Sequence, residues 1–229
     1  MKIKLLMALA VSTLTVGAQA AFCGSGHNWN NNCAEAAKGK PVGITAGVME
    51  VAGISRNQDG ANTIHPAFAK TSRPCPPFCI QPTNPFAPAK VQLVSELDMI
   101  NAAERVANGD NTLMLMDNRT PVWTTAKKGG TIPHAVNIPF NKINDKAVAK
   151  DPTAVVDILV ENFNVVDNDG FLDFSKAKTL YMFCNGAWCG QSPAGIRALL
   201  KLGYPEAKLK YYRGGMNAWQ MFGLGTTGK

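Results

Sequence analysis

Tyr181-Met182-Phe183-Cys184-Asn185-Gly186-Ala187-Trp188-Cys189-Gly190-Gln191-Ser192-Pro193 runs from an apolar stretch into a helix start. Residues 179–183 carry the β-branched and aromatic side chains of a buried strand. Ser192 ahead of Pro193 predicts an N-cap with proline at the first helical position, and Gly203 stops that helix after Leu202. Cys184 therefore sits at the carboxyl end of a strand, in a glycine-containing loop that feeds a helix. Ligands of open α/β sheets bind outside such strand ends. The helix start presents unpaired N–H groups and a positive dipole end, and successive loop amides can form a nest for an anion. A cysteine held there is favoured as thiolate, the nucleophilic form. The expectation is an activated Cys184, with residues 185–192 (Asn185, Gly186, Ala187, Trp188, Gly190, Gln191 and Ser192 besides Cys189) as the anion cradle. The competing reading is an inert buried thiol.

Outward from this loop the pattern stays α/β. Residues 91–94 read as a strand, and Ser95 caps a helix through about Val106, with Glu96 in its first turn. Asn108-Gly109-Asp110 breaks that helix, and residues 112–116 form a buried strand ending at Asp117. Residues 135–138 read as a short strand. Asp151-Pro152 opens a helix to about Phe163, and Asn168-Asp169-Gly170 is a turn fit for a hairpin. Residues 209–212 make a last strand before Gly214-Gly215 and a closing helix. Strands alternating with helices predict a mostly parallel sheet covered on both faces, an α/β/α arrangement in three layers.

Four stretches in this order resemble one family. They are Leu115-Met116-Asp117-Asn118-Arg119, Gly130-Thr131-Ile132-Pro133-His134-Ala135-Val136-Asn137-Ile138-Pro139, the Cys184 loop, and Arg213-Gly214-Gly215-Met216-Asn217-Ala218-Trp219. Together they resemble the rhodanese sulfurtransferases over about residues 91–223. The resemblance implies that Cys184 attacks the outer sulfur of a small anionic donor such as thiosulfate and carries it as a persulfide. A thiol or cyanide-like acceptor, or alternatively a protein acceptor, then removes it, a covalent double displacement. No metal or organic cofactor is required. Asp117 and Arg119 read first as a structural ion pair.

Two departures stand out. Where the family loop has an arginine or similar residue, this one has Cys189, and the loop is about two residues longer. Arg119, Lys127, Lys128 and Arg197 are the cations considered as substitutes in binding the anion. Cys189 is either a bystander or a resolving thiol that forms a reversible disulfide with Cys184. A thiol–disulfide or persulfide redox protein is thus one alternative function, and a non-enzymatic sulfur carrier or partner-binding module is another. His134 stands where the family has glycine, which puts the local backbone in question.

The first 90 residues differ in character. Lys2 and Lys4 precede an apolar stretch from Leu5 to Val16, and Ala18-Gln19-Ala20 fits a cleavage site after Ala20. The expectation is a signal peptide over residues 1–20, and a periplasmic or secreted protein not anchored in the membrane after cleavage. Residues 21–90 are rich in Asn, Gly and Pro and carry four of the six cysteines. They read as a loop-rich extension wrapped on the rhodanese-like domain of residues 91–229, with a short strand near 47–54. Export favours disulfides among Cys23, Cys33, Cys75 and Cys79 over a metal site with His27. The simplest pairing is 23–33 with 75–79, one of three, and His65 reads as an ordinary loop histidine.

Composition excludes several classes. The chain of 229 residues is 46% hydrophobic and 17% charged, which rules out wholesale disorder. The formal charge of +7 falls to +5 without Lys2 and Lys4, and no long basic run accompanies it, so nucleic acid is not the expected partner.

Overall fold

The computed structural model describes Ile44, Val48 and residues 50–228. The chain divides after Met49 into two units, and the second contains the sheet. The expected signal peptide, Cys23, His27 and Cys33 lie outside the described residues. Among the described residues no helix is long and apolar enough to cross a membrane.

The second unit opens with a small antiparallel hairpin, β1 (Glu50–Val51) and β2 (Ile54–Ser55), in place of the single strand expected near 47–54. A one-turn helix, α1 (Pro66–Ala69), follows; His65 caps it by accepting from Ala67 N at 3.1 Å. Then come β3 (Gln92–Leu93), α2 (Glu96–Ala107), β4 (Leu113–Asp117), β5 (Val136–Asn137), α3 (Asp145–Lys150), α4 (Pro152–Phe163), β6 (Val166–Asn168), β7 (Phe171–Asp173), β8 (Thr179–Phe183), α5 (Gln191–Lys201), β9 (Leu209–Tyr212) and α6 (Gly215–Met221). Five strands form one sheet in the order β3-β9-β8-β4-β5, and every pairing in it is parallel. The Asn168-Asp169-Gly170 turn closes the separate β6–β7 hairpin.

Local chemistry explains the boundaries. Asp98 accepts from both Ser95 N (2.8 Å) and Ser95 Oγ (2.9 Å), tying the first turn of α2 to its cap. Asp151 accepts from Ala154 N at 3.0 Å ahead of Pro152, the cap-plus-proline start read from sequence. The expected cap at Ser192 is not used. α5 begins one residue earlier, at Gln191, with Gly190 at the cap and no side-chain bond there. Ser192 is instead fully buried in the first turn, and its Oγ has no partner.

The period of two distributes the core. Met114, Met116, Leu180, Met182, Leu209 and Tyr211 face one side and pack with Leu159 and Phe163 of α4 and Ile196 and Leu199 of α5. Leu113, Leu115, Phe183 and Tyr212 are buried outside that cluster, on the face where α2 buries Met99, Ile100, Ala102 and Ala103. Both faces are covered, as a parallel sheet requires. β8 is the middle strand, so Cys184 leaves the sheet at its centre.

Residues 50–90 are stitched to this body. Asn57 N donates to Gly223 O (2.7 Å), Gly225 N to Ser55 O (2.8 Å), and Phe86 joins the core cluster with its ring edge-on to Tyr211.

Candidate active site

β8 delivers Cys184 to the carboxyl edge of the sheet, with α5 starting seven residues on at Gln191. Cys184 and Cys189 lie within disulfide distance of each other, with Cα atoms 6.3 Å apart. Both are buried, at 2% and 7% exposure. Cys184 Sγ lies 3.5 Å from Cys189 O, and Cys189 Sγ lies 3.7 Å from Gln191 Oε1. Of the amides in residues 185–191, that of Cys189 alone bonds a backbone oxygen among the described residues, closing a turn onto Gly186 O at 2.8 Å. The other six amides of that stretch have no hydrogen-bond partner among the described residues, and unpaired loop amides are the kind of donor a persulfide or oxyanion uses.

The loop is held from three sides. Below it, the start of α6 donates Met216 N to Cys184 O and Asn217 N to Asn185 O, both at 2.9 Å. Gly215 permits that approach. Its φ is +56°, and a Cβ there would run into Cys184 O and Gly186 N. This is the physical content of the Gly-Gly in the closing motif.

Beside the loop, Asp117 and Arg119 are both wholly buried and paired. Arg119 Nε bonds Asp117 Oδ1 (2.9 Å) and Nη2 bonds Oδ2 (2.6 Å), while Nη2 also donates to Gly130 O at 2.7 Å. Thr131 Oγ1 completes the carboxylate at 2.7 Å. Asn137 Nδ2 bonds the carbonyls of Asp117 and Arg119, and Ile138 N bonds Asp117 O. Two of the sequence motifs are thus halves of one network. Arg119 reaches the cysteine loop by a 3.4 Å contact from Nη1 to Asn185 Oδ1. Its guanidinium is engaged and sealed from solvent, which corrects its place among the anion contacts: it braces the loop.

Arg197 also has a partner of its own: it is exposed on α5 and donates to Pro85 O at 3.4 Å. Lys128 sits over the Trp123 ring at 5.8 Å, so it too is occupied outside the loop. His134 takes φ +64°, the left-handed backbone a glycine would take, and its Nε2 lies 2.9 Å from Ala52 O. A side-chain-bearing residue in this conformation costs about 1–2 kcal/mol, and here the ring is used as an anchor.

Above the loop lies a strap that sequence reasoning described only as extension. Gln81 N donates to Ala187 O (2.8 Å), and Arg213 donates to Gln81 O from Nε (3.2 Å) and Nη2 (2.7 Å). Gln81 Nε2 bonds Cys79 O at 3.1 Å, and Cys75–Cys79 is a disulfide with Cα atoms 4.5 Å apart. Arg73 lies near two rings, 5.2 Å from the centroid of Phe78 and 5.1 Å from that of Trp188. Such contacts are worth about 0.5–1 kcal/mol each at exposed sites. Neither Arg73 nor Arg213 was among the cations singled out from the sequence. Arg213 could have been, since it abuts the Gly-Gly motif; no local pattern marks Arg73.

Nearby phenols stay protonated. Burial first, then the negative charge of Glu96, which accepts from Tyr212 Oη at 2.9 Å, raises the Tyr212 pKa far above the ordinary phenol range. Burial pushes Tyr211 up to about 12.

A cysteine-bearing loop at the end of the central parallel strand, braced by a buried Asp–Arg pair and a Gly-Gly helix start, has a known counterpart. The rhodanese-like domain family matches residues 101–222. The chain belongs to that family. Among solved structures, this rhodanese-like chain is similar to the BH2092 protein of Bacillus halodurans, at 18% identity and TM-score 0.36, over 61% of this chain and 78% of that one. It is also similar to SseA of Escherichia coli, described as a 3-mercaptopyruvate sulfotransferase of "rhodanese" fold, at 22% identity and TM-score 0.37. That likeness covers 54% of this chain and 42% of the other. No curated protein matches the sequence. The match leaves out residues 50–100, so the strap lies outside the family region.

Proposed function

We propose that this rhodanese-like protein is an exported sulfurtransferase that carries sulfane sulfur on Cys184. The observation that carries the reading is the position of Cys184, at the end of β8 in a loop with six free amides, within a rhodanese-like domain. The reduced Cys184 thiolate attacks the outer sulfur of a donor such as thiosulfate. The donor S–S bond breaks, sulfite leaves with the electron pair, and the Cys184 Sγ–S bond forms. The loop amides stabilise the persulfide anion. A thiol or cyanide then attacks the terminal sulfur, and Cys184 leaves as thiolate. Export rests on the residues 1–20 pattern and on the oxidised cysteine pairs, which suit an oxidising compartment.

The disulfide distance between Cys184 and Cys189 favours a second reading. Cys189 thiolate attacks Cys184 Sγ of the persulfide, forming the disulfide and releasing hydrosulfide. A dithiol then returns two electrons and resets the pair. The enzyme would act as a persulfide reductase in that cycle.

Intact-mass measurement after thiosulfate treatment of the reduced protein tests both. The first reading expects the mass of one added sulfur atom, absent in Cys184→Ser, and sulfite release with cyanide as acceptor. Sustained turnover in Cys189→Ser removes the second reading. Failure of the wild type to gain sulfur from any sulfane donor removes the first.

A further inference from the structure

We infer that Arg73, a residue of the strap outside the rhodanese-like region, is the anion-recognition residue of the Cys184 loop. It supplies the positive charge that the loop itself lacks. This rests on the sulfurtransferase reading for its substrate class, an anionic sulfur donor, but its geometry stands apart from it.

The other cations near the site are committed. Arg119 is buried and bonded to Asp117 and Gly130 O, Arg213 spends Nε and Nη2 on Gln81 O, and Arg197 turns to Pro85 O. Arg73 is different. Its Cζ lies 5.2 Å from the Phe78 ring centroid and 5.1 Å from that of Trp188, and Trp188 belongs to the cysteine loop. A cation–π contact uses no N–H donor, so the donors that recognise oxyanions are not spent on the rings. Nε is buried with no hydrogen-bond partner, and Nη2 donates only to Ala67 O at 3.5 Å. The strap is pinned so that the guanidinium stays beside the loop. Phe78 N closes a turn onto Pro74 O (3.0 Å), the Cys75–Cys79 disulfide spans that turn, and Gln81 N fastens its far end to Ala187 O. An oxyanion at the Cys184 loop would have the Arg73 guanidinium on the Trp188 side of that loop.

The test separates charge from structure. In a Cys189→Ser background Cys184 is a free thiol without reductant, and the 75–79 disulfide is kept. Rates of Cys184 alkylation by iodoacetate (anionic) and iodoacetamide (neutral) are read by peptide mass. Arg73→Gln is expected to lower the iodoacetate/iodoacetamide rate ratio about fivefold or more, Arg73→Lys to keep most of it, and added salt to shrink the difference. For turnover, Arg73→Gln is expected to lower kcat/KM for thiosulfate about tenfold while that for dimethyl trisulfide, a neutral donor, stays within about twofold. An unchanged ratio overturns the inference. So does an equal loss with both reagents, which marks a merely structural contact. A ratio that falls in a protein that transfers no sulfur from any donor supports Arg73 and overturns the sulfurtransferase reading instead.

Discussion

Among the described residues there are two short-range cysteine pairs, 75–79 and 184–189, separated by four and five residues, and the structure gives them opposite surroundings. Cys75 is exposed on a proline-rich turn with no strand behind it. Cys184 and Cys189 are buried at the mouth of the central parallel strand, among free amides and two helix starts. Near-identical spacing therefore says little about chemistry. Position relative to backbone donors and burial, rather than spacing, sets how readily a sulfur becomes the reactive thiolate. Gln81 links the two pairs, bonding Cys79 O with its side chain and Ala187 O with its amide, so the 75–79 turn is tied to the Cys184–Cys189 loop.

The sharpest way to break this contrast is to swap serine into each pair. Cys184→Ser is expected to abolish sulfur transfer by about a thousandfold or more, measured as sulfite release from thiosulfate. Cys75→Ser/Cys79→Ser should leave turnover within about tenfold, because that pair touches no reacting atom. Comparable losses in both variants would erase the distinction.

Next in size is the brace. Asp117→Ala strands the buried Arg119 guanidinium and should cost about 3–5 kcal/mol, read by chemical denaturation. A loss below 1 kcal/mol would mean that water reaches Arg119 and that the network is not what holds Asn185.

Gly215→Ala forces the start of α6 away from Cys184 O and demands a left-handed backbone of alanine, at a cost of about 1–2 kcal/mol from the backbone alone. Its signature is a lowered rate of Cys184 alkylation at a temperature where the protein remains folded. If alkylation is unaffected, α6 does not position the loop.

The smallest effect concerns access. Under a limiting dithiol reductant, differential alkylation should find Cys75 and Cys79 reduced before Cys184 and Cys189, since exposed sulfur is reached first. The reverse order would place the buried pair on an open path to solvent and make the strap a poor cover.

Most of the α/β framework was legible because its signals are local. Ser95, the Asp151-Pro152 start, the Asn168-Asp169-Gly170 turn and the apolar runs at 112–116, 179–183 and 209–212 each specify an element by its own chemistry. The Ser192 start misled for the same reason: Ser-Pro has the form of a cap, but packing buried the hydroxyl and moved the cap to Gly190. The hairpin at 50–55 and the α3 turn lacked enough periodicity to be placed.

By itself, then, the sequence determined the order of elements, the parallel sheet implied by their alternation, and the placing of Cys184 at a strand end, because each depends on interactions within a few residues. Which partner each arginine takes was decided only in three dimensions. Arg119 went inward to Asp117, Arg197 outward to Pro85, and Arg73 came from over a hundred residues upstream to lie on Trp188. A charge's partner is chosen by whatever the folded chain brings within a few ångströms of it, and no local pattern encodes that choice.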